Sequence, residues 1–223
     1  MAAANEQRDP VFPLMLRLSG RRCLVVGGGR VAHGKTAQLL RAGAHVTVVS
    51  PTWCRAFQKL AVSRRLILKT DRFTPGDLEG IFLIMAATSD RALQRRLARL
   101  AHRRRILLNV ADVPALCDFH MPAVLRRGFL VLAVATGGRL PILARIMRDL
   151  LEASLPVVDE SRLEQLVEAR LWLRGRTPYG PERRRRAMEH LLDSTGTDLL
   201  LNGPEAAFRD HLADWKETVR WPS

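Results

Sequence analysis

The chain has 223 residues, enough for one or two domains that each bury a core. With 47% hydrophobic and 26% charged residues it is neither disordered nor fibrous, and no apolar run approaches the roughly 20 residues that cross a bilayer. Lys and Arg number 36 against 22 Asp and Glu, a formal charge of +14, which favours polyanionic partners: nucleic acid, an acidic membrane surface, or a carboxylated or phosphorylated small molecule. In chain order, Met1–Arg8 lacks the basic start and apolar stretch of a secretory leader. Cys23–Val26 is a short buried-strand run ending in three glycines, and Val31–Ala42 follows at helical spacing until Gly43. His45–Val49 is a second strand closed by Ser50-Pro51, Arg55–Ser63 a short helix, and Leu66–Leu68 a third strand. Ile81–Ala87 is a fourth strand, apolar on both faces; Asp90–Arg103 is a basic helix, and Ile106–Val110 a fifth strand. Strands alternating with helices predict a parallel sheet with right-handed crossovers. Two further strands are expected at Phe119–Val124 and Phe129–Val134, then a helix over Pro141–Ala153. Beyond Val157 the chain reads as helices over Ser161–Arg174, Glu182–Asp193 and Pro204–Trp221, with a break at Pro178–Pro181.

The segment Val25-Val-Gly-Gly-Gly-Arg-Val-Ala32 sits between a strand and a helix. Gly27, Gly29 and Ala32 occupy the G-x-G-x-x-G/A positions of the dinucleotide fingerprint. There glycines permit a tight turn and close approach of pyrophosphate, and the helix start offers free N–H groups. The acid that usually contacts the ribose after the second strand is absent; Ser50-Pro51-Thr52 stands in its place. Hydroxyl or backbone groups then serve the ribose, and the nearby Arg30 and Arg55 leave NAD and NADP both open. A second motif, Asn109-Val-Ala-Asp112-Val-Pro114, follows the fifth strand and so lies at the carboxyl edge of the sheet, where ligands bind in open α/β folds. Taken alone, Asp112 reads as readily as a turn residue before Pro114.

From Phe12 to about Pro156 the chain resembles the N-terminal module of siroheme synthase. The matching stretches are Phe12-Pro-Leu, the glycine turn Cys23–Ala32, Gly43–Val49, Ala86–Asp90, Asn109–Pro114, Phe119–Ala123 and Thr136–Arg145, in the family's order. The resemblance implies NAD-dependent oxidation of precorrin-2 to sirohydrochlorin, followed by insertion of ferrous iron to give siroheme. It places the essential aspartate at Asp112, overturning the turn reading. It places cofactor contacts at Gly29, Arg30, Val31, Pro51 and Thr52, with Thr88 lining the same cleft, and Gly27 of the fingerprint joins them as a cofactor-binding candidate. Hydride loss to NAD leaves a proton for a carboxylate to take, and iron insertion strips protons from pyrrole nitrogens. One aspartate therefore serves both steps.

A polycarboxylate substrate gives the arginine excess a use. Substrate-side candidates are Asn109, His120, Arg126, Arg139 and Thr136, with Arg127 and Arg145 nearby. His120 reads first as a packed strand histidine and second as a base or iron contact. Cys117 reads as a packed side chain. The Arg183–Arg186 run reads as a solvated helix. No metal-ligand spacing occurs, so iron is a substrate and no resident metal is expected. With few aromatics and no RNA- or DNA-binding motif, nucleic acid is not an expected partner, nor is a membrane. The odd, widely spaced cysteines point to reduced thiols in the cytoplasm.

The expected architecture is α/β. A Rossmann-like NAD-binding domain covers 1–112, a small α/β dimerisation segment 113–156, and a helical C-terminal region 157–223. The family's homodimers imply a homodimer here. A dehydrogenase without chelatase activity, and a non-enzymatic NAD or tetrapyrrole sensor, are the alternatives.

Overall fold

The computed structural model describes residues 11–60, 62–156, 158–175 and 180–219. The leader reading at Met1–Arg8, part of the break at Pro178–Pro181, and the expected helix end at Trp221 lie outside them. The chain divides into two compact units. The first reaches Met121 and includes Gly137–Arg139; the second comprises Pro122–Thr136 and the chain from Leu140 onward. The first unit extends past Asp112 to Met121 because the loop following the fifth strand folds back onto that strand.

The first unit runs β1 (Arg22–Val26), α1 (Arg30–Arg41), β2 (His45–Val49), α2 (Phe57–Leu60), β3 (Leu66–Lys69), β4 (Leu83–Ala86), α3 (Arg91–Arg104) and β5 (Leu107–Val110). The strands form one parallel sheet in the order β3-β2-β1-β4-β5. Alternation along each strand sorts side chains onto two covered faces. Leu24, Val26, Ile84, Ala86, Leu108 and Val110 pack with Leu97 and Ala101 of α3. Cys23, Val25, Leu83 and Met85 pack on the other face with Ala32, Leu39 and Leu40 of α1. Asp90 starts α3 by accepting N–H bonds from Ala92 (2.8 Å) and Leu93 (3.0 Å). Arg105 ends it in the left-handed conformation at φ 54°. Before β4, a short 3₁₀ turn at Pro75–Leu78 has a capping box built by Thr74 and Asp77. The parallel sheet is the architecture the sequence predicts, and the element ends differ from prediction by only a few residues.

The stretch Phe119–Pro122 is not the strand expected of it; pairing starts at Ala123. The Phe119 carbonyl accepts a bond from the Asn109 side chain at 2.9 Å, and Pro122 has no N–H to give a ladder.

The second unit opens with an antiparallel hairpin, β6 (Ala123–Arg127) and β7 (Leu130–Val134), turned by Gly128 at φ 51°. Helices α4 (Pro141–Ser154), α5 (Glu160–Arg174), α6 (Pro181–Leu191), α7 (Ser194–Leu201) and α8 (Glu205–Thr218) follow. Pro141 and Pro181 sit in the first turns of α4 and α6, where a missing N–H costs nothing. Ala169, Leu173, Ala187, Leu191, Leu212 and Trp215 form the helical core, and the Trp215 indole donates to the Ala187 carbonyl at 2.9 Å. The Arg162 guanidinium donates to the carbonyls of Leu199, Leu200 and Gly203, satisfying the end of α7. Helix α7 was not expected; Asp193 caps it by accepting from the Gly196 N–H at 2.9 Å.

Candidate functional site

The three glycines after β1 do different work. Gly27 has φ 121°, and a Cβ there would meet the Ala87 carbonyl oxygen at 2.3 Å. A Cβ on Gly28 would meet the Thr52 carbonyl oxygen at 1.9 Å and the Ser50 hydroxyl at 2.7 Å. A Cβ on Gly29 meets nothing within 4 Å. The first two glycines therefore let the loops after β4 and β2 close over the turn, and the third faces open space. Gly29 is the N-cap of α1, in extended backbone and with no side-chain cap. No acid occupies the first turn. Free N–H groups and the positive end of the helix dipole thus stand uncovered beside the open glycine, which fits a pyrophosphate. Arg30 and Val31 are exposed on that turn, Val31 at 53%.

The loop after β2 is stitched to the turn. Gly27 N–H donates to the Val49 carbonyl at 2.9 Å and Cys54 N–H to the Gly28 carbonyl at 2.8 Å. The Ser50 hydroxyl, buried, donates to the Thr52 carbonyl at 2.7 Å and so is spent on shaping the loop. Pro51 and Thr52 are exposed. Thr88, after β4, accepts from Asp90 N–H on its hydroxyl (3.2 Å) and from the Gln94 amide on its carbonyl (2.6 Å). All these residues lie past the carboxyl ends of β1, β2 and β4, around the point where the strand order reverses.

The loop after β5 completes the edge. Asp112 is exposed and holds φ 60°, a left-handed conformation that Asp tolerates better than most residues. The loop returns to cover the outer side of β5, an edge strand that would otherwise expose its ladder. The Leu108 N–H donates to the Asp118 carboxylate and the Asp118 N–H to the Leu108 carbonyl, both at 2.8 Å. The Cys117 sulfur accepts from Val110 N–H at 3.1 Å, and the thiol faces the carbonyls of Val110 and Val113 at 3.2 and 3.4 Å. Burial pushes the Cys117 thiol up, and the Val110 N–H and the Lys35 ammonium oppose that without reversing it.

Asn109 is 6% exposed and its amide is engaged internally. It donates to the Phe119 carbonyl, and its oxygen accepts from Lys35 Nζ at 2.7 Å. Lys35, on the second turn of α1, is half-buried, and burial lowers its pKa; the charges of Cys117 and Asp112 pull it back up. Gly28, Lys35 and Asp118 were not singled out in the sequence, and the Ser50 hydroxyl, expected among the ribose groups, is bonded to the Thr52 carbonyl instead. The signal for Lys35 was present: Ala32, Thr36, Leu39 and Leu40 are the buried stripe of α1, and position 35 is three after Ala32 and four before Leu39.

The substrate-side candidates divide between the units. Asn109, His120 and Arg139 belong to the first, where the His120 ring lies against Gly138, within 3.0 Å of where a Cβ would stand. Arg126, on β6, and Thr136 belong to the second. The Thr136 hydroxyl accepts from Leu140 N–H at 3.1 Å, at the approach to α4. Among the described residues no group of three or more His, Cys, Asp or Glu is placed to hold a metal, and no helix is long and apolar enough to cross a membrane. Two open grooves flank α6, one lined by Arg183, Arg186 and His190 and the other by Arg170, Arg174 and Arg184; neither includes a candidate residue.

Residues 14–123 match a protein family described as "putative NAD(P)-binding". The chain is 40% identical over 208 residues to a siroheme synthase of Thioalkalivibrio sulfidiphilus, covering 93% of this chain and 42% of that protein. It is 40% identical over 195 residues to a siroheme synthase of Methylococcus capsulatus, covering 86% of this chain and 40% of that one. The chain thus spans about two fifths of the length of these relatives. Among solved structures it is similar to SirC, a precorrin-2 dehydrogenase, with a TM-score of 0.72 at 28% identity, covering 93% of this chain and 100% of that one.

Proposed function

The chain belongs to the family of the siroheme-synthase N-terminal module, and from that premise we propose that it oxidises precorrin-2 to sirohydrochlorin with NAD. The observation that carries this reading is the open Gly29 turn on the same sheet edge as the exposed Asp112. The uncapped first turn of α1 holds the pyrophosphate through backbone N–H groups, and Arg30, Val31, Pro51, Thr52 and Thr88 line its path. Bound there, NAD supplies the hydride acceptor. Asp112 accepts the proton that leaves as the new double bond forms, so each turnover yields sirohydrochlorin, NADH and one proton. Thr52 and backbone groups serve the ribose in place of the missing acid.

Ferrous iron then enters as a second substrate, with Asp112 taking pyrrole protons. His120, Arg126, Arg139 and Thr136 are the substrate-side candidates, and the three free cysteines accord with a cytoplasmic protein.

The working form is a homodimer built on the 113–156 segment. Ile142, Leu143, Ile146, Met147 and Leu150 make an apolar face on α4, each 41–55% exposed, and Phe129 at the hairpin turn is 57% exposed. Faces of this kind mark interfaces, and a second copy supplies an identical apolar face to cover it.

An anaerobic absorbance assay with precorrin-2 and NAD or NADP, followed by ferrous iron, tests the reading. Sirohydrochlorin with NADH supports the dehydrogenase, and siroheme formed faster than in buffer supports the second step. Iron entering no faster than in buffer leaves a dehydrogenase alone. No oxidation with either nucleotide overturns the reading in favour of a sensor.

A further inference from the structure

We propose that Lys35 is a positioning residue for Asp112, acting through Asn109. This rests on the dehydrogenase reading for its catalytic consequence, but its structural half stands apart from it. A lysine on the buried stripe of an amphipathic helix is out of place, because burying an ammonium beside a neutral partner is unfavourable. Lys35 is held there by one short bond, 2.7 Å from its Nζ to the Asn109 carbonyl oxygen. Asn109 shares the sheet face of Met85 and Val25, the face that α1 covers, so Lys35 reaches from α1 across to the end of β5. The amide of Asn109 is then fully used, its nitrogen tying the Phe119 carbonyl. Asn109 and Phe119 are the two ends of the loop that carries Asp112.

The charges around the ammonium point the same way. The charged group on that loop that acts on it is the Asp112 carboxylate, since the Cys117 thiol, pushed up by burial, is uncharged near neutral pH. Asp118, also on the loop, is occupied by the Leu108 N–H. The lysine thus closes the loop from beneath, through Asn109, and attracts the carboxylate whose backbone is in the left-handed region. A loop held in an unfavourable conformation needs such over-determination, and displacing a reacting group by about 1 Å is enough to lower a rate by about 100-fold.

The test compares Lys35→Met, Lys35→Gln and Lys35→Arg with wild type in the full chain. Two readouts are taken: site-resolved amide exchange over 110–119, and kcat and KM for NAD in precorrin-2 oxidation. In Lys35→Met we expect exchange in the loop to rise by about tenfold or more, while β1 and β4 keep their protection. We expect kcat to fall by about 10- to 100-fold with KM for NAD changed less than about threefold, and Lys35→Arg to recover most of kcat. Lys35→Gln, which keeps a donor but not the charge, falls between them. Unchanged loop exchange in Lys35→Met overturns the proposal, as does a loss confined to KM for NAD. If wild type itself oxidises no precorrin-2, the dehydrogenase reading fails, and the exchange data still decide whether Lys35 holds the loop.

Discussion

In the first unit β1 and β4 are buried on both faces, with Leu24, Val25, Ile84 and Ala86 all at 0% exposure. In the second, α4 leaves Ile142, Ile146 and Leu150 about half exposed, and the hairpin beside it carries Phe129 at 57%. The first unit also saturates its edge: the loop after β5 covers that strand with a carboxylate and a thiol. Open on this edge are the glycine turn and Asp112, which we propose as the ligand positions; elsewhere the unit also leaves Phe12, Met15 and Ile67 exposed, at 84%, 68% and 64%. The α4 face is open in a different way, since its exposed positions Ile142, Leu143, Ile146, Met147 and Leu150 are apolar, with Arg145 and Asp149 beside them. Openness at the sheet edge reads as chemistry, and openness on α4 reads as assembly.

Substitutions in the glycine turn test the first half of that contrast most severely. Gly28→Ala places a methyl 1.9 Å from the Thr52 carbonyl oxygen, and we expect it to cost about 3 kcal/mol or more, or to prevent folding. Gly29→Ala meets no protein atom, so its melting should stay within about 0.5 kcal/mol of wild type while NAD binding weakens. Denaturant melts with nucleotide titration separate the two; equal destabilisation by both would erase the distinction between packed and open glycines.

Leu150→Asp tests the second half. It should convert a dimer to a monomer by light scattering without lowering the helix content. A wild-type monomer at micromolar concentration would remove the assembly reading.

Cys117→Val should destabilise by about 1–3 kcal/mol, because the Val110 N–H loses its acceptor, and Cys117→Ser should recover part of that. If the valine variant is as stable as wild type, the thiol does not protect the strand edge.

The smallest effect expected is at Asp77. Burial alone would raise its pKa, but the Lys69 ammonium at 2.7 Å and the Thr74 N–H and hydroxyl bring it below the ordinary value. A depressed folded-state pKa gives stability that is complete above about pH 4 and is lost as pH falls through the lower, folded value. The gap in melting temperature between wild type and Asp77→Asn should therefore be constant near neutral pH and shrink under acid. A constant gap down to pH values well below that would show that the pair is not coupled to folding.

Much of this was legible in the sequence because strands buried on both faces announce themselves. Ile81–Ala87 could be little else, and a strand, three glycines and a helix specify the turn. What escaped depended on partners distant in sequence. Lys35 lies on the buried stripe of α1, but what it bonds there is set only when β5 brings Asn109 beneath it. Phe119–Pro122 has strand composition, but the pull of Asn109 on the Phe119 carbonyl removes it from any ladder. Helix α7 was hidden because Asp193-Ser-Thr-Gly196 has turn composition, and Asp193 uses that composition to cap a helix. Gly29 was legible as a glycine of the dinucleotide fingerprint, whereas the need for glycine at 28 arises from Thr52, which reaches the turn only through the fold.

The central claim is that one carboxylate at the sheet edge takes the proton as NAD takes the hydride. Single-turnover oxidation of precorrin-2 under anaerobic conditions tests it, comparing wild type with Asp112→Asn, a residue that also tolerates the left-handed backbone. The account predicts one NADH per sirohydrochlorin in wild type, and in the variant a rate lower by about 100-fold or more with NAD affinity retained. A variant that turns over at the wild-type rate would contradict it.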